Sequence, residues 1–92
     1  MRILAFDCAQ QTGWALHENG RILESGTQDY RKKRGESNGL LFLKYRKWFK
    51  EMIEQFTPDV VAYERAHFRG GAATEIGVGL QTRVQEVATE LN

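Results

Sequence analysis

The sequence has little cysteine, little proline and no long apolar stretch. Cys8 is the only cysteine among 92 residues, so no disulfide can form within the chain. A lone cysteine does not suggest a metal cluster, and we expect a small buried side chain at this position. The lack of disulfides favours a reducing, intracellular setting. The single proline, Pro58, follows Thr57 and marks the end of a helix.

Membrane insertion and secretion are not expected. No apolar run approaches the roughly 20 residues that a membrane-spanning helix needs. The first apolar run is broken by Asp7, so we predict no signal peptide and a cytoplasmic location. Hydrophobic residues make up 41% of the chain and charged residues 27%. This composition predicts one small globular domain over residues 1–92, not a disordered chain.

The N-terminal stretch combines a strand pattern with an acid. Residues 3–6 form a short apolar run, and Asp7 follows at once. Such a run, bounded by turn signals, is typical of a buried strand. In open α/β sheets, ligands bind just beyond the carboxyl ends of the strands, where Asp7 would lie. The alternative is an aspartate that only orders the following turn.

Three consecutive strands are predicted in the first third of the chain. They cover Arg2–Cys8, Thr12–Glu18 and Arg21–Gln28. Asn19-Gly20 joins the second to the third, and this dipeptide favours a type I′ hairpin turn because both positions need positive φ. The three strands should therefore form an antiparallel meander.

A helix, a fourth strand and a second helix follow. Ser37 is the expected N-cap of a helix over Asn38–Phe56, whose apolar residues recur at helical spacing. Strand four covers Asp59–Glu64 and should lie parallel to strand one through a right-handed crossover, which gives a mixed sheet of order 3-2-1-4. The last helix spans Ala72–Leu91. Gly77 and Gly79 within it each cost about 1 kcal/mol relative to alanine, which suggests a close approach or a bend.

Two acids are expected at one edge of this sheet. Asp7 ends strand one and Glu64 ends strand four, and neighbouring strands lie about 4.8 Å apart. A divalent cation relieves the repulsion between two such carboxylates. Mg²⁺ prefers one or two carboxylates together with waters and phosphates, a ligand set used in phosphodiester hydrolysis.

The basic residues are concentrated in one stretch. Between Tyr30 and Lys50 the only acid is Glu36, although the net charge of the chain is just +1. This pattern indicates a polyanion partner such as nucleic acid. The alternative is a solvated helix face and a solubilising loop. Eight of the 13 basic residues lie in this stretch: Arg31, Lys32, Lys33, Arg34, Lys44, Arg46, Lys47 and Lys50.

The segments ILAFDCAQQTGWAL and PDVVAYERAHFRGGAATEIGVGLQ resemble RuvC-type Holliday junction resolvases of the ribonuclease H-like superfamily, especially the phage and prophage branch. The resemblance implies an α/β fold with flanking helices and a Mg²⁺- or Mn²⁺-dependent endonuclease that acts on branched DNA in recombination and repair. It matches Asp7 and Glu64 to catalytic, metal-binding acids. It also implies junction DNA and a second copy of the chain as partners, in a bacterial or phage-infected cell.

The loop after Glu64 adds candidate DNA contacts. In the family, an aromatic residue following the glutamate packs against junction bases, and Phe68 or His67 is similar in kind. Phe68 has an alternative role as an apolar anchor of its loop, and His67 as plain loop surface. The complete set of expected DNA-binding residues is Arg31, Lys32, Lys33, Arg34, Lys44, Lys47, His67, Phe68 and Arg69.

One departure from the family limits these expectations. Family members add a further strand and a last helix that brings more acids, whereas this sequence ends at Asn92. Glu86 and Glu90 lie too far along the last helix to reach the strand ends, since a helix rises about 1.5 Å per residue. Glu75 matches no catalytic position of the family.

We therefore expect the first part of a resolvase, or a shortened relative, that is inactive as a 92-residue chain. We also expect this chain to associate, most simply as a two-fold dimer, through strand four, the last helix or both. Two other functions remain open. One is a non-catalytic nucleic-acid-binding module of the same fold. The other is a fragment of an actin-like ATPase, although the turn at residues 8–11 lacks the glycines that phosphate binding usually needs.

Overall fold

The structure is a computed structural model that describes residues 1–64 and 70–91. Every predicted boundary of a strand or helix lies within one residue of the observed one. None of the helices in this described part is long and apolar enough to cross a membrane. The elements in chain order are β1 (Arg2–Asp7), β2 (Gln11–Glu18), β3 (Arg21–Asp29), α1 (Asn38–Phe56), β4 (Val60–Tyr63) and α2 (Gly71–Glu90).

The four strands form one mixed sheet of order β3-β2-β1-β4, which confirms the predicted topology. β1 is antiparallel to β2 and parallel to β4. Asn19 and Gly20 take φ values of 52° and 81° in the turn between β2 and β3. Both values are positive, as the predicted hairpin turn requires.

The ends of α1 follow from local chemistry. The Ser37 side chain accepts a hydrogen bond from the Leu40 N–H at 3.2 Å, which satisfies one of the free donors of the first turn. At the other end Thr57 adopts a left-handed conformation and donates its N–H to the Ile53 carbonyl at 2.9 Å. Pro58 follows and cannot continue the helix.

Both helices contribute to one core against one face of the sheet. The Phe6 ring of β1 meets Trp48 and Phe49 of α1 edge-on, with centroids 5.6 and 4.9 Å apart. α2 adds Leu80 and Val84 to the same cluster. The buried members are Leu4, Phe6, Cys8, Leu16, Leu41, Tyr45, Trp48, Phe49, Met52, Ile53, Leu80, Val84 and Val87.

The helices approach each other closely at Gly79. A Cβ atom at this position would overlap the Phe42 ring of α1, coming within 2.6 Å of its Cε1 atom. The Arg83 guanidinium lies over the same ring, 5.7 Å from its centroid. The close approach expected from glycine in this helix is therefore present, and it is to an aromatic ring.

Replacing Gly79 by alanine should lower the free energy of unfolding by about 1–3 kcal/mol, because overpacking against Phe42 outweighs the better helix propensity of alanine. Urea denaturation measures this change. Gly39→Ala in α1 is the matched control, since its Cβ would meet only the Ser37 Oγ at 3.6 Å. Gly39→Ala should stabilise by up to about 1 kcal/mol. Equal stabilisation by both substitutions would contradict the packing explanation.

Candidate functional site

The pairing of β1 with β4 brings the two predicted acids to adjacent strand ends. Phe6 of β1 pairs with Tyr63 of β4, so Asp7 and Glu64 occupy the next position on each strand. The Glu64 N–H donates to the Phe6 carbonyl at 3.2 Å, which extends the pairing to this position. Asp7 and Glu64 are both exposed, as residues of a site open to a ligand must be.

A shallow cleft of about 380 Å³ lies in front of the two acids. Its floor includes Ala5, Ala15 and Ala62, and Asp7 and Glu64 line its side at the strand ends. In β1, Ala5 and Asp7 alternate with residues buried against the helices, so the cleft is on the opposite face of the sheet. Short side chains on three neighbouring strands leave this space open to a ligand.

The turn after Asp7 is held by two buried hydroxyl groups. The Thr12 hydroxyl donates to the Ala9 carbonyl at 2.6 Å and accepts from the Ala9 N–H at 3.3 Å. The Tyr45 hydroxyl of α1 contacts the Gln10 carbonyl and lies 2.7 Å from the Gln28 carbonyl. Burial raises the pKa of Tyr45, so the hydroxyl remains protonated and can donate at neutral pH.

Cys8 is buried in the core and does not line the cleft. Burial, with a smaller contribution from the negative charge of Asp7, raises the pKa of the thiol to about 12. The neutral thiol is a poor metal ligand, because metals bind the thiolate. This agrees with the buried structural role that the sequence predicts.

The basic stretch follows β3 at the same end of the sheet as Asp7, because the last residue of β3, Asp29, pairs with the first of β2. Several of its charges have partners. Arg31 pairs with Asp29 at 3.2 Å and Lys44 with Glu36 at 3.5 Å. Two others also have partners: Lys32 donates to Asn38 at the start of α1 at 2.7 Å, and Arg46 pairs with Glu90 of α2. The exposed members are Arg31, Lys33, Arg34, Lys47 and Lys50.

The remaining candidates follow Glu64 in the chain. His67, Phe68 and Arg69, the predicted DNA contacts after Glu64, lie outside the described residues. Glu86 of α2 pairs with Arg83 of the same helix. Within residues 1–64 and 70–91, no group of three or more His, Cys, Asp or Glu side chains could hold a metal ion. Among these residues, the charged side chains that line the cleft are those of Asp7 and Glu64.

This pair of carboxylates fits a hard cation. Mg²⁺ and Mn²⁺ prefer carboxylate oxygens, and Mg²⁺ usually keeps several waters or phosphate oxygens as its other ligands. Asp7 and Glu64 could supply the carboxylates, and the open cleft would leave room for the other ligands.

Three residues that support the acids were not identified from the sequence as part of the site. Tyr45 lies in the helix predicted over Asn38–Phe56, Thr12 begins the predicted second strand, and Gln81 lies in the predicted last helix. Gln81 of α2 donates to the Glu64 carbonyl at 2.8 Å. One signal was available for Tyr45, because a tyrosine in a buried stripe needs a partner for its hydroxyl.

Comparisons with known proteins identify the fold. No protein-family model and no curated protein sequence matches the chain. Among solved structures, Thermus thermophilus RuvC in complex with a Holliday junction substrate superposes with a TM-score of 0.79 at 17% identity, over 98% of this chain and 59% of that one. Another structure of Thermus thermophilus RuvC gives 0.74 at 17% identity, over 98% and 58%. The chain thus spans less than three fifths of these neighbours, and over that length it has the ribonuclease H-like fold of RuvC.

Proposed function

We propose that this protein has the metal site of a metal-dependent endonuclease for branched DNA, of the Holliday junction resolvase type, with Asp7 and Glu64 as the metal-binding acids, and that the 92-residue chain by itself does not cut DNA. The observation that carries the proposal is the position of these acids at adjacent parallel strand ends, beside one open cleft. The fold adds support, because the RuvC neighbour was solved with a Holliday junction substrate.

The chemistry follows from the two carboxylates. A bound Mg²⁺ or Mn²⁺ would activate water and stabilise charge on a phosphodiester undergoing hydrolysis. Asp7 and Glu64 would hold the cation at the rim of the cleft, and the alanine floor would let a phosphate approach the sheet. Two carboxylates are few for a mechanism that uses two ions, so we expect the 92-residue chain to bind metal without cutting DNA.

Asp7→Asn should weaken Mn²⁺ binding at least about tenfold, because one of two anionic ligands becomes neutral. Electron paramagnetic resonance titration of free Mn²⁺ measures the affinity without DNA. Glu75→Gln is the matched control, since Glu75 is an exposed acid near the start of α2 and should not affect binding. A wild-type chain that binds no Mn²⁺, or equal losses in both variants, would contradict the metal site. Nicking of a junction by wild type that disappears in Asp7→Asn would contradict the expected inactivity.

A non-catalytic DNA-binding module is the second candidate function. The exposed basic residues in the loop after β3, Arg31, Lys33 and Arg34, favour DNA binding in either case, because this loop begins at the same end of the sheet as the acids. Metal binding separates the two candidates: a nuclease site binds Mn²⁺ through Asp7 and Glu64, whereas a pure binding module holds DNA without it.

Replacing Arg31, Lys32, Lys33 and Arg34 together by alanine should flatten the salt dependence of junction binding. Each lost phosphate contact reduces the slope of log K against log salt by about 0.9. Fluorescence anisotropy with a labelled four-way junction gives this slope. Arg21→Ala is the control, because this exposed arginine begins β3 at the far end of the sheet. An unchanged slope in the quadruple variant would exclude these residues from the DNA interface.

We also propose that the chain forms a two-fold dimer through β4. This strand is at one edge of the described sheet, with Val60 41% and Tyr63 39% exposed. An exposed apolar edge is a template for pairing with another chain, and a two-fold axis lets the same strand serve both copies.

Val60→Lys should convert the dimer into a monomer, because each copy would place a lysine charge among the apolar side chains beside the joined strands. Sedimentation velocity at tens of micromolar protein distinguishes the two forms. Ile22→Lys is the control, since Ile22 is 63% exposed on β3 at the opposite edge and should leave the dimer intact. A monomeric wild type, or dissociation by both variants, would contradict pairing through β4.

A further inference from the structure

The buried polar side chains point to a supporting role at the two acids. In residues 1–64 and 70–91, the polar or charged residues that are buried are Thr12 and Gln81, apart from tyrosine. Burying such groups is unfavourable unless they are hydrogen-bonded. Thr12 holds the turn that follows Asp7. Gln81 donates to the backbone of Glu64.

Gln81 lies on the side of α2 that faces the core. Its neighbours on that side are Gly77, Leu80 and Val84, and all three are buried. An apolar side chain would be the ordinary occupant of such a position. The amide is instead directed at the Glu64 carbonyl, with Nε2 2.8 Å from the oxygen.

The backbone of Glu64 is hydrogen-bonded at both its N–H and its carbonyl. On one side, the Glu64 N–H donates to the Phe6 carbonyl of β1 at 3.2 Å. On the other side, the Glu64 carbonyl lies beyond the last paired residue of β4, Tyr63, and Gln81 is its donor. The peptide groups before and after the Glu64 Cα atom are thus held by different elements, which sets the direction of its Cα–Cβ bond.

We propose that Gln81 is the positioning residue that keeps the Glu64 carboxylate aligned with Asp7 for metal binding. This inference rests on the metal site proposed above. Groups that orient the ligands of a metal without touching it change metal affinity by about 10- to 100-fold when they are mutated. Gln81 would act in this way on Glu64. The strand before Glu64, β4, has four residues, whereas β1 before Asp7 has six.

The test uses Gln81→Met in the 92-residue protein, because methionine keeps the length of the side chain and removes the donor. We expect Mn²⁺ affinity, measured by electron paramagnetic resonance, to fall about tenfold or more. Two controls accompany it. Gln85→Met makes the same change one turn later, where the amide contacts only the Gln81 carbonyl of the helix itself. Val84→Ala removes buried volume from the same helix without touching Glu64.

Both controls should keep wild-type Mn²⁺ affinity, although Val84→Ala lowers the melting temperature. Amide hydrogen exchange in the metal-free protein supplies an independent readout. Gln81→Met should accelerate exchange of the Glu64 N–H several-fold while the Ala62 N–H, inside the strand, exchanges as in wild type.

The outcomes separate this inference from the proposed function. Unchanged Mn²⁺ affinity in Gln81→Met overturns the positioning role, with or without faster exchange. An equal loss of affinity in Val84→Ala also overturns it, because general destabilisation would then explain the effect. If the wild-type protein binds no Mn²⁺, the proposed metal site is wrong, and hydrogen exchange of the Glu64 N–H is the remaining test of Gln81. Faster exchange in Gln81→Met would support Gln81 as the residue that fixes this strand end. Unchanged exchange would overturn that role as well.

Discussion

The parallel pairing of β1 with β4 is the constraint on which the rest of the molecule depends. It aligns Phe6 with Tyr63 and thereby brings the acids that follow them to the same end of the sheet. A parallel pair cannot be closed by a hairpin, so a crossover connection must separate its strands. Here the crossover includes the β2–β3 hairpin and α1, and α1 provides the largest share of the core. The same connection thus builds the hydrophobic interior and positions the candidate site.

The two faces of the sheet have different tasks. The face towards the helices carries Leu4 and Phe6, which pack into the aromatic cluster of α1. The other face presents alanines from β1, β2 and β4 as the floor of the cleft. Alternation of side chains along each strand makes this division possible, because consecutive residues point to opposite faces. A shift of one residue in the β1–β4 register would reverse the faces of β4, so that Glu64 would point towards the helices while Val61 and Tyr63 would fill the cleft.

The sequence predicted the fold well because its signals are local. Asn19-Gly20 specifies a hairpin, Ser37 a helix start, and Pro58 a helix end, and each acts on residues next to it. The position of both acids at neighbouring strand ends was also predicted, since each directly follows a strand pattern. The supports of the acids were harder to predict. Tyr45 and Gln10 are 35 residues apart, and Gln81 and Glu64 are 17 apart, so no sequence spacing links either pair. The partner in each case is a backbone carbonyl, which any residue possesses.

The chemistry of these supports suits a cation site. Thr12, Tyr45 and Gln81 hold the backbone beside the acids, and all three are neutral donors. A lysine or arginine could satisfy the same carbonyls, but its positive charge close to two carboxylates would compete with a bound cation. Neutral donors fix the geometry and leave the electrostatic attraction of the acids for a ligand. The core therefore supplies rigidity through hydrogen bonds to the backbone, while the carboxylates keep the charge that a divalent cation needs.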